Sequence, residues 1–266
     1  MLRRLLAFAL LLLVGFIAVA QLRQLRRSAT PGTVATMPVD SDPTLDSRGD
    51  HRTGPPLDFA DALAPPLDSV SRLTARVRLL AEPERHFLDS LLAGDDSTIR
   101  RWPTDTGILG VAITTGLAPG FAPEMVHDVR WALDAWNSAV IGLRFIEVAD
   151  TGDAVLRVHW TDTLGGDRAG VTDVTWDRSG RIRRAEITLA TRSPTTGHPF
   201  TREARHAVAL HEVGHALGLP HSARSGDVMF PIATAVTPSE RDRFSLRLLY
   251  QLPFGWVGEH RRGAGP

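Results

Sequence analysis

Apolar residues recur along the second half of this chain with two periods, and those periods sort it into strands and helices. From Ile108 to Thr114 the residues are nearly all apolar, which predicts a buried strand. Val126, Val129, Leu133 and Trp136 then recur at three- and four-residue spacing, so a helix is expected between Pro123 and Val140. A proline near the first helical turn costs little, because its missing N–H would have no partner there. Short runs at 145–148, 154–160, 170–176 and 182–190 read as strands, with Ser179-Gly180 as the turn between the last two. The Gly/Asp-rich stretch from Thr161 to Ala169 reads as a loop. A further helix is expected near Thr201, whose hydroxyl suits an N-cap and is followed by Glu203 at the positive helix end. A last helix starts at Pro238-Ser239-Glu240 and runs to Tyr250.

The first hundred residues have a different texture. An unbroken apolar run from Leu5 to Ala20 follows Arg3 and Arg4. Its length falls between a signal-peptide core and a full membrane span. Ala18-Val19-Ala20 offers a small-residue cleavage site, whereas Arg23, Arg26 and Arg27 suit a membrane interface. Residues 1–27 are therefore expected to be a signal peptide or an N-terminal membrane anchor. Residues 28–99 read as a flexible linker, rich in Pro, Asp, Ser and Thr as far as Pro66. Within it Leu73, Val77 and Leu80 recur at helical spacing until Pro83 interrupts them, which suggests a helical stalk or a propeptide.

Candidate chemistry is concentrated in eleven residues, H-E-V-G-H-A-L-G-L-P-H, from His211 to His221. His211 and His215 are four apart, so on a helix they sit one turn above each other and point the same way. Two imidazoles on one face begin a zinc site. Glu212 follows the first of them, where a carboxylate can serve as general base toward a metal-activated water. Gly218 lets the chain leave the helix in a conformation that a side chain would resist, returning His221 as a third ligand. Three protein ligands with a fourth position open is the catalytic arrangement of zinc rather than the closed structural one.

Downstream, Met229 lies eight positions after His221, within S-G-D-V-M-F-P. With His221-Ser222 and the Met229-x-Pro231 pair, the motif resembles that of the matrixin-type zinc metalloproteases of the metzincin clan, in their minimal bacterial form. The resemblance runs from Arg101-Trp102-Pro103 to Leu249-Tyr250. It implies an α+β, zincin-like catalytic domain over residues 100–254, followed by a tail over 255–266. The implied fold is a twisted, mostly parallel five-stranded sheet with one antiparallel edge, long helices behind it and a small C-terminal subdomain after the zinc motif. It further implies one catalytic Zn2+ held by His211, His215 and His221, with Glu212 as the catalytic residue. Met229 would form a methionine turn beneath the metal, and Phe230-Pro231-Ile232 a wall of the specificity pocket. The implied activity is zinc-dependent endopeptidase hydrolysis of protein or peptide substrates bound extended along Gly170–Val174. A monomer acting outside the cytoplasm, anchored or secreted, is expected.

Composition narrows the picture. Thirty basic and thirty acidic residues give a formal net charge of zero, which argues against a nucleic-acid partner. The absence of Cys removes disulfides and thiol catalysis. It also removes the thiolate-to-zinc latch that the animal proenzymes of the resembled family use. Residues 169–189 contain no His, so the second, structural zinc of those relatives is expected to have no counterpart there, and no hemopexin-like repeat is expected. Asp162, Asp167 and Asp173 lie among glycines where the resembled family often binds Ca2+, although an ordinary solvated loop fits them as well. His206 would point away from the metal, and His159 reads as a surface or edge residue. Two other readings stand beside the enzyme: a zinc-binding extracytoplasmic module without general proteolysis, and a processing peptidase dedicated to one partner. The intact Glu212 favours catalysis.

Overall fold

The computed structural model describes residues 37–38, 67–93, 97–139 and 141–258. Five strands make the main sheet: β3 (Ile108–Ile113), β4 (Arg144–Glu147), β5 (Leu156–Thr161), β6 (Gly170–Trp176) and β7 (Ile182–Ala190). Their order is β4-β3-β5-β7-β6. The first four run parallel, and β6 pairs antiparallel with β7 at the edge. The expected mixed α+β architecture is therefore the observed one. On β7, Ala185, Ile187 and Leu189 are buried at every second position, and Ile182 is buried beyond the irregularity in the β6–β7 pairing. Alternation along a strand gives each of its faces to a different environment.

Two long helices bury their apolar stripes in the same core. The helix α2 (Glu124–Asn137) contributes Val129, Leu133 and Trp136, with Pro123 at its N-cap position. The helix α3 (Arg202–Ala216) is capped by the Thr201 side chain, which accepts from the Ala204 amide. A buried indole N–H requires an acceptor. Trp136 donates to the Leu210 carbonyl at 2.8 Å, and Trp102 donates to that of Ala216 at 2.7 Å. Both tryptophans thus tie flanking segments to the backbone of α3. The closing helix, α4 (Glu240–Gln251), starts at Ser239 with a reciprocal capping box to Asp242.

The folded body extends beyond residues 100–254. Upstream, α1 (Ser69–Leu80) ends before Pro83 as the sequence predicts, and the stripe whose spacing marks the helix is not the one that packs. Ala75 and Leu79 are buried in the common core, together with Phe87 and Leu88. Val70, Leu73, Val77 and Leu80 lie on the opposite side and are exposed. Both faces of this helix carry apolar residues, so periodicity alone selects the longer stripe and misses the small one that fits against the domain. Polar contacts fix the docking: Arg241 donates to the His86 carbonyl at 2.7 Å, and the Phe87 amide donates to Ser245 Oγ at 3.2 Å. Downstream, β9 (Gly255–Trp256) pairs with β2 (Thr98–Ile99), and Val257 is fully buried. Residues 67–93 and 255–257 thus contribute side chains to the same core as the sheet and the long helices.

A two-residue strand, β1 (Met37–Pro38), pairs antiparallel with β8 (Ile232–Ala233). The apolar run Leu5–Ala20 and most of the predicted linker lie outside the described residues. No helix among the described residues is long and apolar enough to cross a membrane.

The docking of α1 has a direct test. Leu79→Ala should destabilise the chain by about 2–5 kcal/mol, as a core leucine truncation does, while Leu73→Ala should change stability by no more than about 0.5 kcal/mol. Urea unfolding of the two variants beside the parent measures both, and the reverse ranking would mean that the other face is packed.

Candidate active site

The site begins inside α3. His211 and His215 lie on its buried side, and the helix stops directly after Ala216. Gly218 makes the stop possible: its φ is +95°, and a Cβ there would run into the Arg100 carbonyl oxygen. The Gly218 amide donates to the His215 carbonyl at 2.8 Å and the Leu219 amide to that of Gly214 at 3.1 Å, which caps the helix end. The chain then returns and brings His221 back to the two helical imidazoles.

The three rings meet at their Nε2 atoms. His221 Nε2 is 3.2 Å from that of His211 and 3.2 Å from that of His215. Two nitrogens bound to one tetrahedral zinc stand about 3.3 Å apart, given Zn–N bonds of about 2.0–2.1 Å. The spacing therefore fits a zinc ion, and the opposite nitrogens fit it as well. His211 Nδ1 donates to the Val228 carbonyl at 2.7 Å and His215 Nδ1 to that of Leu219 at 2.8 Å. A ring whose proton is held on Nδ1 keeps its lone pair on Nε2, which is the form a metal needs. Burial, reinforced by the two neighbouring imidazoles, holds His211 well below the usual histidine range and so keeps it neutral. Among the described residues, His211, His215 and His221 are the group whose ligand atoms lie within reach of one ion, all within 4.8 Å of one another.

Glu212 is completely buried beside this cluster. Thr172 on β6 donates its hydroxyl to Glu212 Oε2 at 2.6 Å, and that hydroxyl oxygen also lies 3.0 Å from the Glu212 carbonyl oxygen. Two residues earlier on the same strand, a Cβ at Gly170 would lie 2.5 Å from Glu212 Oε1. The carboxylate thus occupies space that only a glycine leaves. Neither Gly170 nor Thr172 stands out in the sequence, because their role depends on the register of β6 against α3.

Directly after Val228, whose carbonyl holds His211, comes Met229, fully buried. A Cβ on Gly214, one residue before His215, would collide with the Met229 sulfur, so the turn and the helix fit closely. Asp242 of α4 holds this turn from behind by accepting from the amides of Val228 at 2.9 Å and Ser239 at 2.8 Å. Burial raises the Asp242 carboxyl above its ordinary value despite these hydrogen bonds. Asp227 is engaged by Ser222, Ser239 and Arg241, and does not join the histidines.

The remaining polar candidates lie elsewhere. His206 pairs with Asp128 at 2.8 Å and stacks on Trp131, away from the cluster. His159 contacts Thr114 through its Nδ1. Asp162 is paired with Arg192, while Asp167 and Asp173 are exposed, and the three do not form a metal-sized group. His86 is buried and donates from Nε2 to the Ala81 carbonyl at 2.7 Å, which gives it a structural role.

The family model of the matrixins matches residues 121–251, a span that begins before α2 and ends with α4. Residues 121–251 form a matrixin-type domain, which points to a metallopeptidase kind of function, and the mixed five-stranded α+β sheet is consistent with such a catalytic domain. No curated protein matches the chain significantly.

The helix stop gives the second test. Gly218→Ala should cost about 1–3 kcal/mol, because it forces a side chain into a left-handed conformation against a carbonyl. Since Leu219 holds His215 Nδ1, the variant should also bind zinc less tightly. Thermal unfolding and zinc titration against a chromogenic chelator read the two effects, and unchanged values for both would mean that the turn is not needed.

Proposed function

We propose that the chain is a zinc-dependent endopeptidase in which His211, His215 and His221 hold the metal and Glu212 is the general base. The observation that carries this is the approach of His221 Nε2 to 3.2 Å from the Nε2 atoms of both His211 and His215, with those two rings anchored through Nδ1 to backbone carbonyls. Zinc, when bound there, supplies Lewis-acid polarisation of the scissile carbonyl and makes water acidic enough to ionise near neutral pH. Glu212 takes the proton of the attacking water and afterwards delivers it to the leaving amine, so one carboxylate serves both halves of the hydrolysis. Its complete burial limits competing hydration, and it accepts a hydrogen bond from the Thr172 hydroxyl. The open edge of β6 suits an extended peptide added as a further strand, because its inner neighbour β7 already satisfies the other side.

The compartment follows from the N-terminal run. We place the domain outside the cytoplasm, with Leu5–Ala20 as either a membrane anchor or a removable signal. A processing peptidase with one partner would share every feature of this site, and the difference lies in the substrate alone.

Two variants separate base from ligand. Glu212→Ala should keep stoichiometric zinc while hydrolysis of a quenched-fluorescence peptide library falls by about 100- to 10,000-fold. His221→Ala should lose both zinc and activity, because two imidazoles leave the metal under-coordinated. Metal analysis and turnover on the same preparations decide, and wild-type turnover in the Glu212 variant would overturn the mechanism. For the N-terminus, cell fractionation with terminal sequencing distinguishes the alternatives: an anchor keeps Met1 in the membrane fraction, and a signal leaves Gln21 at the mature terminus. Full-length chain found in the cytosol would contradict both.

A further inference from the structure

We propose that Thr172 is a positioning residue for the catalytic carboxylate, acting with Gly170 to make β6 a clamp on Glu212. This inference rests on the reading of Glu212 as the general base.

Three observations carry it. Thr172 is 1 % exposed, so its hydroxyl has no bulk water to compete for it. That hydroxyl lies 2.6 Å from Glu212 Oε2 and 3.0 Å from the carbonyl of the same residue. A single side chain on the strand thus touches both the base and the piece of helix from which the base projects. Gly170 lies on the same face of β6, two residues away, where a Cβ would overlap the other carboxylate oxygen, Oε1, and also Glu212 Cγ and Cδ. One oxygen is tethered and the other sits where the strand offers only a glycine hydrogen. The carboxylate is confined on two sides.

Confinement matters because a glutamate has three rotatable bonds, and a base works only when one of its oxygens faces the proton it takes. A misplacement of about 1 Å can cost about 100-fold in rate. A hydrogen bond between neighbouring elements that holds an oxygen in place removes that freedom before substrate arrives. The metal ligands do not depend on it, since His211 and His215 are oriented by Val228 and Leu219 instead. Loss of the hydroxyl should therefore alter the base and leave the metal unaffected.

The test uses the zinc-loaded full chain and the library peptide that it cleaves fastest. Thr172→Val keeps the shape and removes the donor, and should lower kcat about 10- to 100-fold with KM changed less than about 3-fold. Thr172→Ser restores the hydroxyl and should recover kcat to within about 3-fold of the parent. Zinc content and zinc affinity should be the same in all three. Glu212→Ala combined with Thr172→Val should be no slower than Glu212→Ala alone, because the clamp then has nothing to hold. A readout independent of turnover is the Glu212 side chain in crystals of the metal-free chain, expected in one conformation in the parent and in several in the Val variant. If Thr172→Val does not fold, Thr172→Ala gives the same comparison. Full kcat in the hydroxyl-free variants, or failure of Ser to restore it, would overturn the proposal. Wild-type turnover in Glu212→Ala would instead remove the base itself, and the two failures are thus distinguishable.

Discussion

An imidazole presents a lone pair at Nε2 only while its proton stays on Nδ1, and three such rings must face one point for a metal to bind. Much of the C-terminal half is arranged around that requirement. The acceptors that hold the protons of His211 and His215 are the carbonyls of Val228 and Leu219. Leu219 is placed by the left-handed turn at Gly218. Val228 is placed by Asp242, which takes its amide from across the subdomain. The closing helix, the methionine turn and the helix stop therefore form one mechanical chain that ends at two ring nitrogens.

The same chain continues away from the site. Arg241 of α4 bridges Asp227 and the His86 carbonyl, so the segment before the sheet is tied to the loop that follows the third histidine. Phe87, Leu88 and Leu79 then bury apolar surface against the core. The helix that places Asp242 is thus braced from both sides, by the methionine turn in front and by residues 67–93 behind.

How far the structure can be read from sequence depends on the range of the interaction. Strands β6 and β7 match their predicted limits, because unbroken apolar or alternating runs bounded by a Ser-Gly turn carry their own signal. The histidine cluster is legible for a similar reason: a fixed spacing on a helix and one glycine determine where the rings point. Docking of α1 is not legible in this way. Leu73, Val77 and Leu80 outweigh Ala75 and Leu79 in any local count, and only the space against the domain selects the smaller face. The β2–β9 pair joins residues some 150 positions apart through two residues on each side, too few to carry a period. Thr172 and Gly170 escape notice because a threonine and a glycine acquire meaning only from what crosses the strand.

Tyr250 closes the body from below, its hydroxyl donating to the Leu217 carbonyl at 3.0 Å, and burial raises its pKa above the usual tyrosine range despite the nearby Arg101. It is the only tyrosine in a chain that has no lysine and no cysteine. Between the histidines and the arginines, then, the side chains offer the solvent a single proton, and the fold retains it. Above about pH 10 the unfolded tyrosine ionises while the folded one does not, so the unfolded state binds fewer protons and stability falls as pH rises. One buried phenol thus ties the stability of this fold to alkaline pH.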